Sequence, residues 1–215
     1  MSIRSRTWLA WLALSALAGT AQATGPTNGS WTFRVLLDGA TIGEHQFKLQ
    51  SDGAQRKVMG TAAFDVKLLG ITLHRYRHKD SEAWADDCLV AMNASTDDGG
   101  KHSAVQVSRN GDSLSITGPS GTRTVEGCLM SFAYWNPAIR QQTRLLNAQN
   151  GKLESVQMSR VEESAIEVRG QSVKATRWRI TGAEQPVDVW YSEQDDWIGL
   201  DASLKGGHKL SYRLP

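Results

Sequence analysis

Residues 31–50 read WTFRVLLDGATIGEHQFKLQ, and their reading decides the fold class. Trp31, Phe33, Val35 and Leu37 recur at every second position with Thr32 and Arg34 between them, the period of a strand that buries one face. Asp38-Gly39 follows, a dipeptide suited to a two-residue hairpin turn, and residues 42–50 supply the return strand. Ser51-Asp52-Gly53 turns the chain again into residues 58–68, where Val58, Gly60, Ala62, Phe64, Val66 and Leu68 share a face. Gly60 and the neighbouring alanines thin that strand in its middle, which predicts either the close approach of another backbone or a bulge.

The same grammar runs along the chain. Strands are predicted over residues 72–78 and on to Trp84, then 88–96, 103–108, 114–117, 122–126, 154–158, 165–168, 173–180, 187–192, 197–202 and 209–214. Asp97-Asp98-Gly99-Gly100, Asn110-Gly111, Ser120-Gly121 and Asn150-Gly151 punctuate them. Short strands at this spacing predict an all-β fold, a curved antiparallel sheet or barrel of about 12 strands. Alternation is the same in a closed barrel and an open sheet, so both stay open at this point.

One stretch breaks the alternation. Residues 128–150 read CLMSFAYWNPAIRQQTRLLNAQN and hold a dense collection of large apolar and aromatic side chains. Asn136 suits a helix cap and Pro137 a first helical position, so a short helix or lid is predicted near 137–146. A segment of this kind, tied by Cys128, is expected to cover the open mouth or concave face of the sheet.

The N-terminus has the form of an export signal. Arg4 and Arg6 make a positive start, residues 7–18 are apolar, and Ala21-Gln22-Ala23 has the small-x-small pattern of a cleavage site. Residues 1–23 are therefore expected to be a signal peptide and residues 24–215 a single exported β-domain, periplasmic or secreted. The apolar run is shorter than the roughly 18 to 20 residues that span a bilayer, so no integral membrane segment is expected after cleavage. In an oxidising compartment Cys88 and Cys128, the chain's two cysteines, are expected to form a disulfide.

Composition narrows the function classes. Arg4 and Arg6 belong to the leader, so the remaining Lys and Arg balance the 22 Asp and Glu. A nucleic-acid partner would ask for a basic excess, and none is expected. Chemistry-bearing motifs are sparse: there is no GxSxG, HExxH, phosphate loop or dinucleotide fingerprint. His74 and His78 lie four apart on a strand, about 13 Å, too far for one metal ion unless a third histidine such as His45 joins one of them; no metal and no cofactor is assigned. His74, Tyr76, His78, Asp80, Glu82 and Trp84 occupy alternate positions and so share one face. That row is a candidate ligand patch, although the commoner setting for such residues is the solvated face of an antiparallel strand.

Five phrases carry a resemblance: FRVLLDGATIGEH at residues 33–45, YRHKDSEAW at 76–84, SFAYWNP at 131–137, RLLNAQNG at 144–151 and VDVWYSEQDDW at 187–197. Together they resemble a family of bacterial exported proteins of unknown function, over nearly the whole chain after the leader. In strand order and turn placement the chain is also similar to periplasmic lipoprotein-carrier-like half-barrels, a likeness that implies a greasy concave face under a lid. The leading functional expectation is a non-enzymatic envelope protein binding a hydrophobic or amphipathic ligand such as a lipid. Its candidate contacts are His45, Tyr76, His78, Glu82, Trp84, Phe132, Tyr134, Trp135, Leu145 and Leu146. The alternatives are a structural or protein-interaction module of the envelope and, behind it, a hydrolase or isomerase using His78 and Glu82.

Overall fold

Residues 28–53 and 55–215 are described in a computed structural model; the expected signal peptide lies outside them. Strands β1 (Gly29–Leu37), β2 (Ala40–Asp52), β3 (Gln55–Leu68), β4 (Ile71–Ala85), β5 (Cys88–Asp98), β6 (Lys101–Asn110), β7 (Ser113–Gly118) and β8 (Gly121–Glu126) form one antiparallel meander. After a long excursion, β12 (Gln157–Val168), β13 (Gln171–Thr181), β14 (Val187–Ser192), β15 (Trp197–Ser203) and β16 (Lys209–Arg213) form a second. β16 pairs with β1, with Arg34 opposite Arg213 and Leu37 opposite Leu210, and fuses the two into one curved sheet of 13 strands. The sheet is open, with β12 and β8 at its edges.

The turns follow from local chemistry. Asp38 and Gly39 both have positive φ, +50° and +83°, the paired left-handed geometry of a tight hairpin that glycine tolerates without strain. Asp38 does further work there: its carboxylate accepts from the Lys209 backbone N–H at 2.8 Å and contacts His208, which fastens the first hairpin to the last. Trp31, Phe33 and Val35 are buried as the alternation requires, while a register shift after Val35 leaves Leu37 only half-buried.

The β3–β4 hairpin is longer than its neighbours. Pairing with β2 ends at Phe64 and pairing with β5 at Tyr76, so beyond the base of the tip, where the Gly99 N–H donates to the Arg75 carbonyl and His74 contacts Asp98, the strands pair only with each other. Leu69, Ile71 and Leu73 stand exposed on it, Leu69 at 95%.

At the other edge the sheet curls back on itself. Ile166 of β12 packs where a side chain on Gly199 of β15 would lie, and the Arg169 N–H donates to the Leu214 carbonyl. Residues 197–202 are consequently buried throughout, on both faces of the sheet.

Residues 127–156 join the two edges. They carry β9 (Met130–Ser131), one 3-10 turn (Pro137–Gln141), β10 (Arg144–Leu146) and β11 (Leu153–Ser155), the three strands forming a small separate sheet. Asn136 caps the turn through its side-chain oxygen and Pro137 opens it, as predicted. The helical stretch is one turn long: from Arg144 the chain is extended again, because Leu145 and Leu146 pair with Met130 and Ser131 on one side and with Glu154 and Leu153 on the other. Leu129, Met130, Ala133, Trp135, Ile139, Leu145 and Leu146 belong to the same core as the sheet's inward residues.

The Cys88–Cys128 disulfide ties the start of this excursion to the start of β5, and the Leu89 N–H donates to the Leu129 carbonyl beside it. With a sequence separation of 40, removing the bridge relaxes the unfolded chain by about 3 to 4 kcal/mol. A Cys88→Ala/Cys128→Ala variant is expected to lose stability of that order in urea unfolding against the oxidised protein.

Candidate functional site

The excursion does not fill the space it crosses. A cavity of about 370 Å³ remains between it and the concave face, within the range of small-molecule pockets. β4 supplies its polar wall. Tyr76, His78, Asp80 and Glu82 face inward, whereas His74 lies out at the rim with its Nε2 2.8 Å from Asp98. The solvated setting expected for this row thus holds only for His74. The reason lies on the neighbouring strands: Gly60 and Ala62 of β3 stand opposite Asp80 and His78, and Ala94 of β5 also opposes Asp80. A side chain on Gly60 would meet Asp80 Oδ1 at 2.0 Å. The thinned middle of β3 therefore receives a carboxyl side chain, and the backbone approach or bulge predicted at Gly60 gives way to a slot for Asp80.

Aromatic rings form the rest of the wall. His45 stacks on Phe47 at 4.0 Å between centroids, Phe47 meets Trp197 edge-on at 5.0 Å, Tyr134 from the excursion lies 5.5 Å from Trp197, and Phe64 stacks on Tyr76 at 5.2 Å behind. Tyr212 closes the ring, its hydroxyl 3.3 Å from His45 Nδ1.

The polar groups are held individually. His78 Nδ1 lies 2.8 Å from Thr96 Oγ1, and its Nε2 is 3.4 Å from Asp80 Oδ1. Glu82 Oε2 accepts from the Trp84 indole N–H at 2.9 Å. Burial, with the Asp80 charge adding to it, pushes the Glu82 carboxyl up to about 8, against partial relief from Ser131 and Trp84. Desolvation, reinforced by His78, holds His45 down at about 3, and its Nε2 is buried without a hydrogen-bond partner. Burial raises the Tyr76 phenol, and the Asp98 and Asp80 charges raise it further. His78 and Glu82 make no pair with each other: each is engaged by other groups.

Seven of the ten residues singled out from sequence line the cavity: His45, Tyr76, His78, Glu82, Phe132, Tyr134 and Trp135. Trp84, Leu145 and Leu146 are core instead. Trp84 is 1% exposed and meets Trp135 edge-on at 5.4 Å, while Leu145 and Leu146 are sealed inside the small sheet. Trp135 borders the cavity but is itself 2% exposed and clamped under the Arg56 guanidinium at 5.1 Å. Phe47, Asp80, Trp197, Tyr212 and Glu154 were missed. Phe47 shares the face of His45 by simple alternation, and Asp80 sits within the β4 row. Trp197 and Tyr212 had no local signal, because they reach the site through the pairing of β1 with β16.

The excursion is fastened at both ends of its path. Arg56 donates to the Asp86 carbonyl and, at 2.8 Å, to Asp87 Oδ1, which also accepts from Asn136 Nδ2 at 2.8 Å. Across the cavity Arg140 grips Asp195 through two bonds of 2.8 Å, and the Tyr191 hydroxyl donates to the Tyr134 carbonyl at 2.8 Å. Among the described residues, no cluster of three or more His, Cys, Asp or Glu is placed to hold a metal ion.

A curved open sheet with an internal cavity under a fastened connection defines a β-barrel-like domain. Residues 33–215 match the domain of unknown function DUF6134, and the chain belongs to that family. A crystal structure of a β-barrel-like protein of the domain of unknown function DUF1849, from Brucella abortus, is similar at a TM-score of 0.64, covering 88% of this chain and 96% of that one. Identity is 8%, so the likeness is one of fold. No curated protein matches the chain.

Two outcomes test this geometry. An unfolded Glu82 releases its proton near 4.5 and the folded one near 8, so the folded state binds more protons between these values and stability falls as pH rises through them, by at most about 1.4 kcal/mol per pH unit. His45 acts in the opposite sense, costing stability as pH drops below its unfolded value of 6.5. The His45 contribution fades over the pH unit above 6.5, as the unfolded imidazole loses its remaining protons. In urea titrations between about pH 7.5 and 8.5, Glu82→Gln is expected to flatten the decline seen in the parent protein. Trp135→Ala should behave as a core deletion and lower stability by about 3 to 5 kcal/mol, read in the same titration.

Proposed function

We propose that this protein is exported, that residues 24–215 act as one envelope-resident binding domain, and that it holds a small hydrophobic or amphipathic ligand, lipids included, in the cavity beneath residues 127–156. The cavity carries this reading: a solid core would need neither a space of about 370 Å³ nor inward-facing His78, Asp80 and Glu82, whose desolvation costs stability. Apolar walls with a few placed polar groups are the usual composition of ligand pockets. Export is supported by the leader pattern at residues 1–23 and by a cysteine pair bonded as an oxidising compartment allows.

The projecting β3–β4 tip supports a second reading, an interaction module of the envelope, since Leu69, Ile71 and Leu73 are exposed together. The two are separable. An L69D/I71D variant should lose a protein partner and keep an uncharged ligand, whereas Ala148→Trp, which adds bulk to the cavity wall, should lose the ligand.

Protein purified from its native compartment is expected to release a bound small molecule on solvent extraction, detected by mass spectrometry. Once stripped, it is expected to enhance an uncharged polarity-sensitive naphthyl fluorophore, with Ala148→Trp abolishing the signal while melting stays close to that of the parent. Empty protein that also leaves the fluorophore dark would sink the proposal.

A further inference from the structure

The cavity has a charge pattern that selects among amphiphiles. Four carboxyl side chains line it, Asp80, Glu82, Glu154 and Glu184, and among the described residues no lysine or arginine does. Two of the four are accounted for locally. Glu184 is paired at the mouth with Lys205 at 3.0 Å, and Glu82 is bound by the Trp84 indole.

Among the described residues, neither Asp80 nor Glu154 is paired with a lysine or arginine, and Asp80 faces His78 alone of the ion-pairing groups. Glu154 accepts from Asn147 Nδ2 at 2.7 Å and from the Glu184 backbone N–H at 3.3 Å, both neutral donors. The Asp80 side chain is 9% exposed, and His78 Nε2 faces its Oδ1 at 3.4 Å, long for a hydrogen bond. Gly60 leaves the slot that holds this carboxyl group, so its placement is built into the sheet. A carboxyl group nine-tenths out of water without a close donor is costly unless something else supplies one. The rings around it, Phe47, Tyr76, Tyr134, Trp197 and Tyr212, offer faces that attract cations. His45 adds no positive charge, because desolvation keeps it neutral.

An anionic head group brought into this space would meet Asp80 and Glu154 with no lysine or arginine among the lining residues, and with His78 already facing Asp80. An ammonium head would meet carboxylates and aromatic faces together. We infer that the cavity takes an amphiphile with a cationic amine head, held by Asp80, Glu154 and the surrounding rings, in preference to a carboxylate or phosphate lipid. This rests on the ligand-binding reading above and names the class of ligand.

Calorimetric titration of the stripped protein with three probes sharing one tail separates the two claims: decyltrimethylammonium, decanol and decanoate, below their micelle concentrations. The ammonium probe is expected to bind about tenfold or more tightly than decanoate, with decanol between them. Asp80→Asn, checked for folding by circular dichroism, is expected to lose that preference; should it fail to fold, Glu154→Gln, half-buried on β11, is expected to reduce it severalfold. Decanoate binding as tightly as the ammonium probe, or a preference unchanged in the folded variant, overturns the inference and leaves the binding reading standing. Failure of all three probes, decanol included, overturns the binding reading itself.

Discussion

The connection between β8 and β12 has to travel from one edge of a thirteen-stranded sheet to the other, and the architecture of the site depends on that requirement. Pairing β16 with β1 places residues 126 and 157 at opposite margins, so the intervening thirty or so residues cannot remain a surface loop beside either edge. Crossing the concave face is the path that also buries their apolar side chains. The disulfide, the Arg56–Asp87–Asn136 contacts and the Arg140–Asp195 fork fix that path at both sides. The result is a covered hollow whose roof and floor belong to one hydrophobic core.

Inside that core the β4 row is the expensive feature. His78, Asp80 and Glu82 lose solvent without gaining strong ion pairs to lysine or arginine, and the elevated Glu82 carboxyl expresses the cost as a proton the folded state retains. Packing alone would be served better by apolar residues at these positions. Gly60, Ala62 and Ala94 show that the neighbouring strands are shaped to receive the row, so it is part of the fold's design and not a local accident.

The shared fold with the DUF1849 protein at 8% identity indicates how little of this architecture depends on particular side chains. Ligand chemistry resides in the lining, and an analogy of fold does not transfer it.

The strands of the large sheet were legible because period-two burial and turn residues such as Asp38-Gly39 act within a few residues of each other, whereas β9 and β10 gave no such signal. Pairing of the cysteines was legible from their number and from the leader-like pattern expected at residues 1–23. The face shared by His74 to Trp84 could be read too, since any unbroken strand alternates. Which way that face points could not: period two defines two faces and leaves their assignment to whatever packs against them, here Gly60 and Ala62 across the ladder. Trp197 and Tyr212 joined His45 only through the β1–β16 pairing, and Leu145 and Leu146 were withdrawn from the cavity by pairing with β9 and β11. Local sequence thus determined the strands, their turns and the covalent clasp, while tertiary structure decided the inside, the outside and the hollow, because these depend on contacts between residues far apart along the chain.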